Sequence, residues 1–234
     1  RKIPYLWDPE KFKIAADDML IKHGVDVLYH TKLIDVVVSN DKIEYVLVAN
    51  SDGVTAVNPK IVVDCTGDGN IAFWSGVPYE IDDYLQPATL EFLISNVRDT
   101  SNYDEIRDKC SLVLENAKKS GEIENYGGPW FNEIAPGILK FNTTRLSFNP
   151  TSTYELTQNE IKARHDAWIM YELWKKEIPE FKESRLIFSG PSIGIRESRR
   201  IAGKYTITED DIVNCRHFPD VIVKGSWYID QHPF

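Results

Sequence analysis

Residues 61–69 read Ile61-Val62-Val63-Asp64-Cys65-Thr66-Gly67-Asp68-Gly69. Three β-branched residues and an aspartate run straight into a turn with two glycines, which is how a strand of an open α/β sheet ends at a ligand site. The glycines remove side chains so that the backbone can come close to a bound group, while Thr66 and Asp68 set a donor and an acceptor beside it. A second local reading stays open, in which Asp68 only caps a short helix predicted at residues 70–75.

Upstream of this stretch the chain reads as one helix followed by strands. Asp8 is a cap, Pro9 suits the first helical position, Phe12, Ala15, Ala16 and Met19 share a stripe, and Gly24 follows the end, so a helix is predicted from about residue 9 to 23. Residues 25–30, 33–38, 43–48 and 55–57 then have strand character, with Asn40-Asp41 and Ser51-Asp52-Gly53 as turns between the later ones. The pattern predicts a strand leading into a β-meander.

Downstream the organisation changes, and a domain boundary is predicted between Tyr79 and Gln86, dividing the chain into 1–82 and 83–234. Residues 88–97 read as a strand and 103–120 as an amphipathic helix. Strands are expected at 138–142 and 144–148. The longest helix is predicted to begin at Thr157-Gln158-Asn159-Glu160, which has capping-box spacing, and to stop at Pro179. Its Trp and Ile residues read as core. The fold class is therefore α/β in the broad α+β sense.

Composition narrows the function. A formal net charge of -9 and a pI near 5.1 argue against a binder of nucleic-acid backbones, which gains affinity by releasing counterions to clustered Lys and Arg. No apolar stretch approaches the roughly 20 residues of a membrane span. Cys65, Cys110 and Cys215 are dispersed and odd in number, so they predict neither a disulfide framework nor a zinc or iron-sulfur site, and suit a cytoplasmic protein. His23, His30, His165 and His217 show no metal-ligand spacing with one another, and no metal is expected.

Two further clusters can carry chemistry. Gly190-Pro191-Ser192-Ile193-Gly194-Ile195-Arg196-Glu197-Ser198-Arg199-Arg200 gathers three guanidinium groups, whose forks suit carboxylate, phosphate or pyrophosphate. An ion-pair network with Glu197 and nearby acids is the plainer reading of the same residues. In Tyr228-Ile229-Asp230-Gln231-His232, an Asp and a His lie close enough to work as an acid-base pair, or to serve structure alone.

The order of these motifs carries more than any one of them. The run from Lys42 to Gly69 resembles the apolar strand and "ATG"-type turn of two-dinucleotide-binding-domain flavoproteins, with Cys65 in place of the usual Ala. Add Glu155-Leu156-Thr157 with Glu160 and Arg164, then Ile178-Pro179-Glu180-Phe181, then Gly194 to Gly203, then Tyr228 to His232. The whole resembles a bacterial family of FAD-dependent oxidoreductases grouped with the flavin subunit of heterodisulfide reductase. The resemblance implies a partial FAD-binding domain with a β-meander at 1–82, and a mixed-sheet substrate domain with flanking helices at 83–234.

It also implies FAD near Cys65, Thr66, Gly67, Asp68 and Gly69, adenine held around Leu33, and hydride transfer to or from a small, anionic organic substrate. Arg196, Arg200 and His232 are then the candidate catalytic residues, with Arg199 and Asp230 binding substrate. Such flavoproteins carry an N-terminal G-x-G-x-x-G and a C-terminal flavin segment that do not occur here, so the expected partners are the rest of its own polypeptide and the substrate, with a homo-oligomer compatible. A folded recognition or interaction domain without turnover is the alternative for the chain alone.

Overall fold

The computed structural model describes residues 8–226 and 229–230. Along the chain run α1 (Pro9–Lys22), β1 (Lys32–Ser39), β2 (Lys42–Asn50), β3 (Gly53–Val57), α2 (Asn70–Trp74) and β4 (Tyr79–Glu80). Next come β5 (Glu91–Ser95), α3 (Tyr103–Ser120), β6 (Trp130–Ala135), β7 (Ile138–Asn142) and α4 (Thr153–Glu177). β8 (Arg185–Ser189), β9 (Arg200–Ile201) and α5 (Glu209–Val213) complete the described order. The chain forms two compact units. One takes the described residues through Tyr29 with Pro87–Arg196, the other His30–Gln86 with those from Glu197 onward.

The first unit holds the core. Its four-stranded sheet has the order β6-β7-β5-β8, and each pairing is antiparallel, so the mixed pairing expected of this domain is not what forms. Phe92 and Phe141 stack on this sheet with Trp174 of α4, with centroid separations of 5.4, 6.2 and 4.6 Å. Ile106, Cys110 and Leu114 bring one stripe of α3 into the same cluster. Burial of these large side chains is what holds the two helices to one face of the sheet.

Three expectations shift here. α4 starts at Thr153, capped by the Ser152 hydroxyl, which accepts from the Glu155 N–H at 3.3 Å. Thr157 lies inside the helix, where its hydroxyl donates to the Thr153 carbonyl at 2.7 Å. Ser152 and Glu155 repeat the same capping spacing one turn earlier, so the motif was one of two. The strand predicted at 144–148 reduces to a bridge between Leu146 and Ala88, because the Thr144 hydroxyl takes the Leu90 N–H at 2.7 Å in place of a backbone acceptor. α1 is capped by Asp8 as predicted, yet buries none of its residues, and Phe12 and Met19 are each 60% exposed.

In the second unit β1, β2 and β3 form the predicted antiparallel meander. Asn40 and Asp41, at φ 51° and 59°, make the tight turn between the first two strands, a conformation that short polar side chains tolerate. Residues 25–30 form no strand, and neither does the run 61–64. A strand is stabilised by its neighbours' ladder, and none of the described strands pairs with either segment. Ile61 and Val63 are 83% and 77% exposed. The two-stranded pairing of β4 with β9 brings residues from Glu197 onward into this unit.

Candidate functional site

The turn after residue 64 is organised by an aspartate that the motif reading passed over. Asp64 Oδ1 accepts from the Thr66 N–H at 3.0 Å and the Thr66 hydroxyl at 2.7 Å, and Oδ2 accepts from the Ala72 N–H at 3.1 Å. Thr66 Oγ1 in turn accepts from the Asn70 N–H at 2.9 Å, in the first turn of α2. Asp64, not Asp68, therefore serves the start of this helix. Partial burial pushes the Asp64 carboxyl up, but the hydrogen bonds from Thr66, Ala72 and Ile71 outweigh it and hold the pKa below its ordinary value.

These bonds leave the crest of the turn open. Gly67 has φ 88°, a region where other residues are strained, and a Cβ added there would meet nothing within 4 Å. Among the described residues, the N–H groups of Gly67, Asp68 and Gly69 have no acceptor. Consecutive backbone donors of this kind suit an oxygen-rich ligand. Gly69, at φ 62°, is closed off instead, since a Cβ would come within 2.7 Å of Ile201 Cδ1.

The end of the arginine cluster meets this turn across about 130 residues. Ser198 Oγ donates to Asp68 Oδ1 at 2.7 Å, and Arg199 Nη1 donates to the Asp68 carbonyl and to Asn70 Oδ1, both at 3.0 Å. The Arg199 guanidinium lies 4.2 Å from the centroid of the Phe73 ring and 5.7 Å from that of Tyr79, which contact each other edge to face. Arg200 pairs with Asp82 and, at 2.9 Å, with Glu197 Oε1, while Glu197 Oε2 accepts from the Gln86 N–H. The plainer reading of the arginine run thus describes Arg200, which is ion-paired, whereas Arg199 is held by neutral oxygens and two aromatic rings.

Beside the turn is a cleft of about 500 Å³, lined by Val38, Ile43, Val62, Asp64, Ile71 and Ser75 among others. Its volume lies in the range of small-ligand sites. The Ser75 hydroxyl is buried there and makes no hydrogen bond. Leu33 sits in β1 opposite Val48, and Cys65 is exposed. Arg196 belongs to the first unit, apart from Arg199 and Arg200 in the second. Asp230 is exposed, whereas His232 lies outside the described residues. Among the described residues no cluster of His, Cys, Asp and Glu could hold a metal ion, and no helix is long and apolar enough to cross a membrane.

The family described as FAD dependent oxidoreductase matches residues 2–234. The chain belongs to this family. FAD is accordingly its cofactor, and the open turn at Gly67, with its unused N–H groups, fits such a ligand. Two solved structures are similar to part of this chain. L-proline dehydrogenase from P. horikoshii is 13% identical with a TM-score of 0.48, over 81% of this chain and 44% of its own. p-Nitrophenol 4-monooxygenase PnpA from Pseudomonas putida is 11% identical with a TM-score of 0.41, over 81% and 42%. The chain spans less than half the length of either. No curated protein matches it.

Proposed function

We propose that this family member transfers a hydride between FAD and a small, anionic organic substrate, and that its finer relationship is to the bacterial proteins grouped with the flavin subunit of heterodisulfide reductase. The observation that carries the reading is the turn at residues 66–69, with three unused backbone N–H groups, in a chain matched by the family along nearly its whole length. FAD, when bound, supplies the two-electron chemistry, and the protein supplies orientation and electrostatics.

The chain's own residues divide the remaining work. Thr66, Gly67, Asp68 and Gly69 hold the cofactor, with the adjoining unit of His30–Gln86 and the residues from Glu197 as the flavin part and Pro87–Arg196 as the substrate part. Ser198 and Arg199 keep the turn in shape through Asp68 and Asn70. Arg196 binds the substrate's anionic group, and Asp230 with His232 is the proton-transfer pair. The unpaired cysteines suit a cytoplasmic setting.

Exposed Ile61, Val63 and Ile222 favour one alternative, a recognition or interaction domain without turnover. The visible absorption spectrum of the full-length protein, after unbound FAD is removed, separates the two. Flavin bands that survive removal, together with turnover lost on Arg196→Ala, support the oxidoreductase. Absence of flavin bands, or an Arg196→Ala variant with unchanged turnover, overturns the corresponding part.

A further inference from the structure

Ser198 and Arg199 lie in the second unit with the turn at residues 66–69, immediately before β9. β9 pairs with β4, Ile201 opposite Tyr79, and that pairing fixes where the two side chains reach. Arg199 Nη1 donates to the Asp68 carbonyl and to Asn70 Oδ1, both at 3.0 Å. The Asp68–Gly69 peptide is trans, so its N–H points away from the carbonyl that Arg199 holds. Arg199 therefore sits behind the crest of the turn, and the unused Gly69 N–H faces out of the other side. A cation on the carbonyl also polarises that peptide and strengthens its N–H as a donor.

The charges around the turn give that position its weight. Asp64 and Asp68 bring two carboxylates into it, and both are held by neutral donors, Asp64 by Thr66 and Ala72 and Asp68 by the Ser198 hydroxyl. An anionic ligand at the crest meets these like charges, which disfavour it. Among the described residues, Arg199 is the cation hydrogen-bonded to the turn, and it has no carboxylate within ion-pair distance. Its guanidinium lies instead against the Phe73 and Tyr79 rings, which hold a cation without cancelling its charge. Its Nε is buried with no hydrogen-bond partner, so the fold keeps this group in place at a cost.

We propose that Arg199 is a positioning residue for the phosphate part of the cofactor. It pins the Asp68–Gly69 peptide with the N–H outward, and its charge offsets Asp64 and Asp68, so that the turn favours a flavin carrying phosphate over one carrying none. The contacts of Arg199 with the turn stand on the second unit alone, whereas naming the ligand as FAD rests on the reading of the turn under the proposed function.

The full-length protein, freed of flavin, is titrated separately with FAD and with riboflavin, which has the same ring system and no phosphate, and binding is read from flavin fluorescence. In Arg199→Met, which keeps bulk against the two rings, FAD affinity is expected to fall roughly tenfold or more relative to riboflavin affinity. Arg199→Lys keeps the charge and loses the fork, so it should recover part of that ratio, and Lys119→Ala should leave it unchanged. If Arg199→Met does not fold, Arg199→Gln takes its place, since its amide can still donate to the Asp68 carbonyl but carries no charge. Equal weakening of FAD and riboflavin marks a merely structural residue and overturns the inference. An unchanged ratio in the uncharged variant, or an Arg199→Lys ratio no higher than that variant's, does so too. A parent that takes up neither flavin sinks the cofactor reading instead, and inorganic pyrophosphate followed by calorimetry then decides for Arg199. Pyrophosphate binding that weakens in the uncharged variant upholds its role, and no binding, or equal binding in both proteins, overturns it.

Discussion

Asp64 sets the acid limit of the turn. Its folded pKa is depressed, so the stability it contributes is fully present above the unfolded value of 3.8 and is lost as pH falls through the lower folded value. The parent protein should therefore lose stability on acidification below about pH 4, and Asp64→Asn should flatten that limb while lowering stability at neutral pH; chemical denaturation followed across pH 2.5 to 7 checks both, the range being roughly that of carboxylate titration. Gly67 is the complementary case. Its φ of 88° disfavours any side chain, so Gly67→Ala should cost about 1–2 kcal/mol. Because the Cβ would project into open space above the turn proposed to hold FAD, flavin retention should fall by more than the stability loss explains. An equilibrium titration of FAD into the variant, at a temperature where it remains folded, reads the two apart.

At the scale of elements, start signals compete and packing selects. Two sets of residues at the head of α4 have capping spacing, and Ser152 with Glu155 wins because the earlier start adds a turn that places Leu156 against the core. Ser152→Ala should cost about 1 kcal/mol, whereas Thr157→Ala should change stability by less than about half of that. Thermal unfolding of the two variants side by side checks the assignment. The meander shows the opposite behaviour. Its hairpin turn is local chemistry, Asn40 and Asp41 tolerate positive φ, and the strands on either side need only each other. The run 61–64 has equally strong strand character but pairs with no described strand, and it forms none.

Across the whole molecule, stability is concentrated in the first unit. The aromatic cluster around Phe141, Trp174 and Phe92 lies there, while the second unit buries few large apolar side chains. Phe141→Ala should destabilise by about 3–5 kcal/mol, and calorimetry should show it lowering the transition of the first unit. The helix limits of α3, the meander and the glycine turn were legible in the amino-acid sequence, since each rests on residues close together whose caps, periods and φ preferences act locally. The sequence by itself also determined the family, through the order of its motifs. Only the tertiary structure decided which arginines are matched and which are not. Arg199 and Arg200 meet acceptors near residues 68–82, because hydrogen-bonded segments distant in the chain are brought side by side. Local pattern carries no record of such neighbours, as a charge's role depends on what the fold sets within a few ångströms of it.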